Sequence, residues 1–204
     1  RSLRQGIGYG TDTGARVSAR YRDLNMLEKG HEFYSNLYLA ERLQGVATGY
    51  IVPDLDDIRG STSLQFSLQR EDISAYTSRL IALELNKTRG FGPGESGSAY
   101  LRLQHEAYTI GAQESSSRVV LPGLRFSRDA FDSPTRPRRG FRYDLNLRGT
   151  HQLLGSDVEL LQIISEGGWL LPLPWRLSLY SRFKGAVTLL SDPLSDIPPS
   201  LRFF

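Results

Sequence analysis

The residues best placed to do chemistry form three small groups. Asp12-Thr13-Gly14 has the order of an aspartic-protease carboxylate loop, whose chemistry needs two such carboxylates sharing a proton. The chain has a single copy, and Ala15-Arg16 follows it where small hydroxyl residues belong. The triplet therefore reads as a tight hairpin, with Asp12 and Gly14 in turn roles. Gly90, Gly92, Gly94 and Gly97 resemble a phosphate-cradling loop in spacing. The lysine and hydroxyl residue of a P-loop are missing and no helical pattern follows, so a long flexible hairpin connection is expected there. His31, His105 and His151 stand far apart, with no carboxylate or second histidine at ligand spacing. No metal site, cofactor or nucleophile-base pair is expected from these residues, and the chain reads as a non-enzyme.

Basic residues offer a different chemistry. Only Lys29, Lys87 and Lys184 are lysines among the 25 basic residues. Arginine makes fixed, multidentate bonds to carboxylates and phosphates, which suits a polar barrel interior or a lipid headgroup. Arginine-rich codon usage explains the same bias. Residues 134–140, Pro-Thr-Arg-Pro-Arg-Arg-Gly, form a proline-stiffened basic turn suited to headgroup phosphate. They lack the aromatic set that single-stranded nucleic acid would require, and the net charge of +3 is too small to call for nucleic acid.

The elements that carry the arginines alternate with period two. In residues 63–69, Leu64, Phe66 and Leu68 alternate with Ser63, Gln65, Ser67 and Gln69. Phe141, Tyr143, Leu145 and Leu147 alternate with Arg142, Asp144, Asn146 and Arg148. Val17, Ala19 and Tyr21 alternate with Arg16, Ser18, Arg20 and Arg22, and Leu177, Leu179 and Phe183 with Arg176, Tyr180 and Arg182. Residues 45–52, 119–127 and 158–170 alternate less cleanly.

Most segments run about nine to thirteen residues, the length a tilted strand needs to cross a bilayer. Soluble strands centre nearer five or six. Tyr9, Tyr21, Tyr50, Tyr76, Tyr108, Trp169 and Trp175 fall toward segment ends, where interfacial girdles belong. Hydrophobic residues are 39% of the chain and cysteine is absent, so neither a large apolar core nor a disulfide frame is favoured. No stretch is long and apolar enough for a spanning helix and no apolar signal segment opens the chain. The expectation is an all-β, antiparallel transmembrane barrel with eleven strands, starting near Gly6, Ala15, Glu32, Gln44, Ser61, Tyr76, Ser98, Ser117, Gly140, Val158 and Trp175. An odd count leaves two edges that lipid does not tolerate, so further strands are expected beyond this chain.

Several of these segments resemble one family, the bacterial surface-antigen superfamily of outer-membrane assembly factors. Within it the translocation and assembly module branch, TamA, is the most similar. Residues 6–16, Gly-Ile-Gly-Tyr-Gly-Thr-Asp-Thr-Gly-Ala-Arg, look like that family's first hairpin. Pro122-Gly123, Phe126-Ser127-Arg128-Asp129, Pro134, Pro137 and Arg139-Gly140 resemble its middle strands and their connecting turn. Ile197, Pro198, Pro199, Ser200, Leu201, Arg202, Phe203 and Phe204 are similar to the lead-in to its long sixth extracellular loop. The family's arginine-glycine-aromatic motif is expected just after Phe204.

The resemblance implies that residues 1–204 are the N-terminal two-thirds of a sixteen-stranded outer-membrane barrel domain, with POTRA domains expected before Arg1. It implies a factor of the Gram-negative outer membrane that promotes insertion or secretion of β-barrel or autotransporter clients, in contact with lipid and lipopolysaccharide. A periplasm-spanning TamB-like partner is implied through the POTRA domains. Gly6, Ile7, Gly8, Tyr9 and Gly10 match the first strand, which in the family pairs weakly with the last to form a lateral gate. Gly6, Gly8 and Gly10 leave one strand face without side chains, a weak edge that can open, or one that lets a neighbouring group approach closely. Arg16, Arg20, Arg22, Arg142, Arg148, Arg176 and Arg182 are expected to face the lumen. The nearest rivals are a BamA-type insertase and a two-partner secretion pore. A passive porin or a soluble lipid-binding barrel is the rival from another class.

Overall fold

A computed structural model describes residues 1–10, 14–191 and 197–202, with every side chain among them except that of Arg176. Eleven strands follow one another as β1 (Ser2–Gly10), β2 (Gly14–Met26), β3 (His31–Ala40), β4 (Leu43–Pro53), β5 (Ser61–Ile73), β6 (Tyr76–Gly92), β7 (Glu95–Ile110), β8 (Gln113–Phe131), β9 (Gly140–Thr150), β10 (Leu160–Pro172) and β11 (Ser178–Leu190). They form a single antiparallel sheet in sequence order, a meander whose edges are β1 and β11. Short connections alone make this order possible, since antiparallel neighbours need only a hairpin.

Cross-strand register carries the alternation through the whole sheet. Tyr50, Leu64, Leu85 and Leu101 are successive partners from β4 to β7, and Leu124, Leu147, Ile163 and Val187 are successive partners from β8 to β11. Residues in register share a face, so one face is a continuous field of exposed leucine, isoleucine, valine and aromatic side chains. In water so large an apolar patch is untenable, whereas in lipid it is the solvated surface. The opposite face carries Ser63, Gln65, Ser67 and Gln69 on β5 and the arginines of β2, β9 and β11.

The three ambiguous segments are explained by what covers their inner side. Val119 and Leu121 of β8, Val158 and Leu160 form one buried cluster with Ile197 and Leu201, which return into the polar side after β11. Apolar residues therefore sit on both faces of β8 and at the start of β10. On β4 the inner Gly49 makes room for Tyr34, whose Cζ would lie 2.3 Å from a Cβ there.

Two expectations are corrected. The glycine-rich stretch is no long flexible connection, because β6 reaches Gly92 and β7 starts at Glu95, with a register shift between Gly90 and Gly92. Gly94 has φ +72°, and its carbonyl accepts from Asp129 N at 2.8 Å, which docks the hairpin on β8. Tyr76 and Tyr108 do not join an outer girdle. Tyr108 pairs in register with Ser78 on the inner face and is buried, and the Tyr76 hydroxyl donates to Glu71 at 3.0 Å.

Candidate functional site

The first candidate is the edge strand β1. Among the described residues it pairs with β2, from Ser2 opposite Arg22 to Gly10 opposite Gly14. Its outer residues Ile7 and Tyr9 are 89% and 76% exposed. At its start the strand is pinned, because Arg1 Nε donates to Asp23 Oδ2 at 2.8 Å. Its second half, Gly6 to Gly10, has only the β2 ladder and the outer side chains. The glycine face is filled by its own hairpin partner: a Cβ at Gly6 would meet Ser18 Oγ at 3.0 Å, and one at Gly8 would meet Arg16 Nε at 2.9 Å. Close approach and edge weakness thus come from the same residues. Such an edge presents a row of N–H and C=O groups that can template an incoming strand.

The inner face is the second candidate. Arg16, Arg20 and Arg22 lie on it by register with Gly8, Arg4 and Ser2. Arg20 Nε donates to Asn36 Oδ1 at 2.9 Å, and Arg22 makes a bidentate pair with Glu32 at 2.6 and 2.9 Å. Arg142 pairs with Asp144 at 3.1 Å, Arg148 Nε donates to Gln162 Oε1 at 2.7 Å, and the Arg182 guanidinium lies 5.9 Å from the Tyr180 ring centre. The backbone of Arg176 belongs to the Pro174–Arg176 turn that precedes β11, and its side chain lies outside what the structure describes.

Residues that sequence reasoning passed over tie this face together. Glu84 accepts from Arg125 at 2.8 Å and from Arg102 at 3.4 Å, and Arg125 stacks 3.8 Å over the Tyr100 ring. Tyr100 in turn donates to Asn146 at 3.0 Å. Beside this network runs a groove of about 430 Å³, bordered by Ser98, Arg125, Asp144, Asn146, Glu166 and Lys184. The signal was present in the alternation of β6 to β8, where Glu84, Tyr100, Arg102 and Arg125 occupy the phase opposite the leucines.

The third candidate is the segment after β11. Pro199–Leu201 forms a 3-10 turn, and its Leu201 enters the buried cluster together with the preceding Ile197. Ser200 donates from its hydroxyl and, at 3.4 Å, from its amide to the buried carboxylate of Glu106. Gln104 Nε2 donates to Ser200 Oγ at 3.1 Å and Gln162 Nε2 to the Leu201 carbonyl at 3.3 Å. Arg202 Nε closes the turn on the Ile197 carbonyl at 2.9 Å. Of the expected lead-in, Pro198, Pro199, Leu201 and Arg202 therefore lie against the inner wall. Phe203 and Phe204, like Asp12 and Thr13, are outside the described residues.

The histidines lie apart. His31 Nδ1 is 2.6 Å from the Tyr50 hydroxyl, His151 Nε2 is 3.2 Å from Glu159, and His105 pairs in register with Arg118 on β8. Among the described residues no three histidine or carboxylate side chains gather as a metal would need.

Comparison with known proteins fits this geometry. The Omp85 superfamily domain matches residues 25–204. Among solved structures, BamA from Haemophilus ducreyi lacking POTRA domains 1-3 superposes with a TM-score of 0.81 at 16% identity. That match covers 93% of this chain and 41% of the other, so the chain spans under half the length of the structure it resembles.

Proposed function

Because the chain belongs to the Omp85 superfamily, we propose that it is the first part of the barrel of an outer-membrane assembly factor, which inserts or translocates other proteins at a lateral seam opened along β1. The observation that carries this reading is the inner face of β1: it is side-chain-free over Gly6, Gly8 and Gly10, so beyond its ladder to β2 little side-chain packing holds the strand. Opening such a seam costs few side-chain contacts, and the freed N–H and C=O groups then pair with a client strand. No covalent chemistry is assigned to the protein, and no cofactor.

On this reading the eleven strands are completed by others into a larger barrel, since lipid leaves no edge unpaired. The membrane is the outer membrane of a Gram-negative bacterium, where the leucine field meets acyl chains and the arginine face lines the lumen. The first hairpin, the middle strands and the 197–202 lead-in favour the TamA branch, with β-barrel or autotransporter clients and a TamB-like partner reached through POTRA domains. The intact protein in liposomes is the test. It should raise the yield of protease-protected, folded client barrel several-fold over empty liposomes. Equal yields would remove the assembly function.

A further inference from the structure

The β10–β11 turn is built unlike its neighbours. Trp175 stands in a left-handed conformation, φ 60° and ψ 31°, a region that non-glycine residues seldom occupy. Pro172 and Pro174 stiffen the turn, and Leu173 N donates to the Leu177 carbonyl at 2.9 Å. The conformation does not serve to bury the indole, which is 90% exposed, with Leu173 and Leu177 exposed on either side of it. Rigid backbone and a fully offered aromatic ring together mark a wedge.

Its position relative to the apolar face says what the wedge meets. Leu161 pairs with Leu189 and Leu171 with Leu179, ten residues along the outer face. At a rise of about 3.4 Å and a tilt of about 40°, that stretch spans roughly 26 Å, the height of a barrel's lipid belt. Leu171 and Leu179 thus mark the belt edge, and Trp175 lies just beyond it. Inside the edge, Trp169 stacks on Phe183 at 5.2 Å and Phe141 on Tyr143 at 6.0 Å.

Two strands along the same rim, the 132–139 turn exposes Arg136, Arg138 and Arg139. Asp132 Oδ1 fixes that turn by accepting from Arg138 N at 2.9 Å and Arg139 N at 3.2 Å, and all three arginines are solvent-exposed. We propose that these two turns form a membrane foot, with the Trp175 indole seated in the interfacial layer and Arg136, Arg138 and Arg139 on anionic lipid phosphates of the leaflet at which β1 begins. The foot needs the leucine face to meet lipid but is independent of the seam.

The intact protein and its Trp175→Phe variant are compared in vesicles of brominated phosphatidylcholine and phosphatidylglycerol, so that the emission difference reports Trp175 alone. Lipid brominated near the glycerol end should quench that difference at least twofold more than lipid brominated at the chain centre, and aqueous iodide should quench it little. Brominated phosphatidylglycerol should quench more than brominated phosphatidylcholine, and replacing Arg136, Arg138 and Arg139 with glutamine should abolish that difference. An indole quenched by iodide and untouched by either lipid, or one shielded from both by the protein itself, overturns the foot. Unchanged lipid preference in the triple variant removes the basic turn from it. A fluorophore on a Leu145→Cys variant, quenched by the chain-centre bromines in the same vesicles, keeps a failed foot distinct from a wrong lipid face.

Discussion

Arg16 lies across Gly8: the two are register partners in the first hairpin, and a Cβ on Gly8 would come within 2.9 Å of the Arg16 Nε. The crowding atom belongs to a flexible side chain exposed on the inner face, so it can yield.

Gly8→Ala should therefore stiffen the edge strand. Removing a glycine from a strand recovers about 0.5–1 kcal/mol of backbone entropy. Amide exchange in β1 should slow by several-fold and client assembly should fall in parallel. Hydrogen-exchange mass spectrometry beside an assembly assay checks both, and faster exchange would contradict the weak-edge account.

Leu64, Phe66 and Leu145 each lie on the outer face. Arginine at any of them should cost about 2–4 kcal/mol near the bilayer midplane and block heat-modifiable assembly. Ser67→Arg, one residue away on the inner face, should assemble normally.

Leu201→Ala should loosen the segment folded against the inner wall. Leu201 is 2% exposed within the cluster of Val119, Leu121, Val158 and Leu160, and a buried Leu→Ala change costs about 2–5 kcal/mol. Higher conductance of the intact protein in planar bilayers, and proteolysis near residue 200, are the expected results.

Asp132 sets a pH dependence at the rim. The backbone N–H groups of Arg138 and then Arg139 hold its carboxyl below the usual carboxylate range. A depressed folded value contributes order that is complete above the ordinary carboxylate pKa of about 4 and is lost as pH falls through the folded value. The 132–139 turn should keep its structure at about pH 5 and loosen only in stronger acid. Asp132→Asn should remove that transition, which NMR of the turn amides reads directly.

Much of the fold was legible because period two and turn chemistry are local. Strand starts at Ser61, Tyr76 and Gly140 fall where the alternation begins, and the two faces of β5 follow from Leu64, Phe66 and Leu68 against Ser63, Gln65, Ser67 and Gln69. The remainder depended on contacts distant in sequence. Val119, Leu121 and Leu160 turn apolar side chains inward because Ile197 and Leu201 cover them, which no window around β8 reveals. Tyr108 looked interfacial by its place near a strand end, but the phase of β7 sends it inward. In the candidate site, alternation puts Arg16 and Arg22 on the polar phase of β2, whereas Glu84 acquires its partners only when β6, β7 and β8 bring Arg102 and Arg125 beside it.

The central claim is that β1 opens, and locking it is the most direct test. Cysteine pairs joining the Gly6 to Gly10 stretch to the strand that closes the barrel in the intact protein should form disulfides in membranes. Client assembly should stop with the pair oxidised and return on reduction. Full assembly with the seam locked would contradict the lateral-seam account and favour passage of polypeptide through the lumen, past a displaced 197–202 segment.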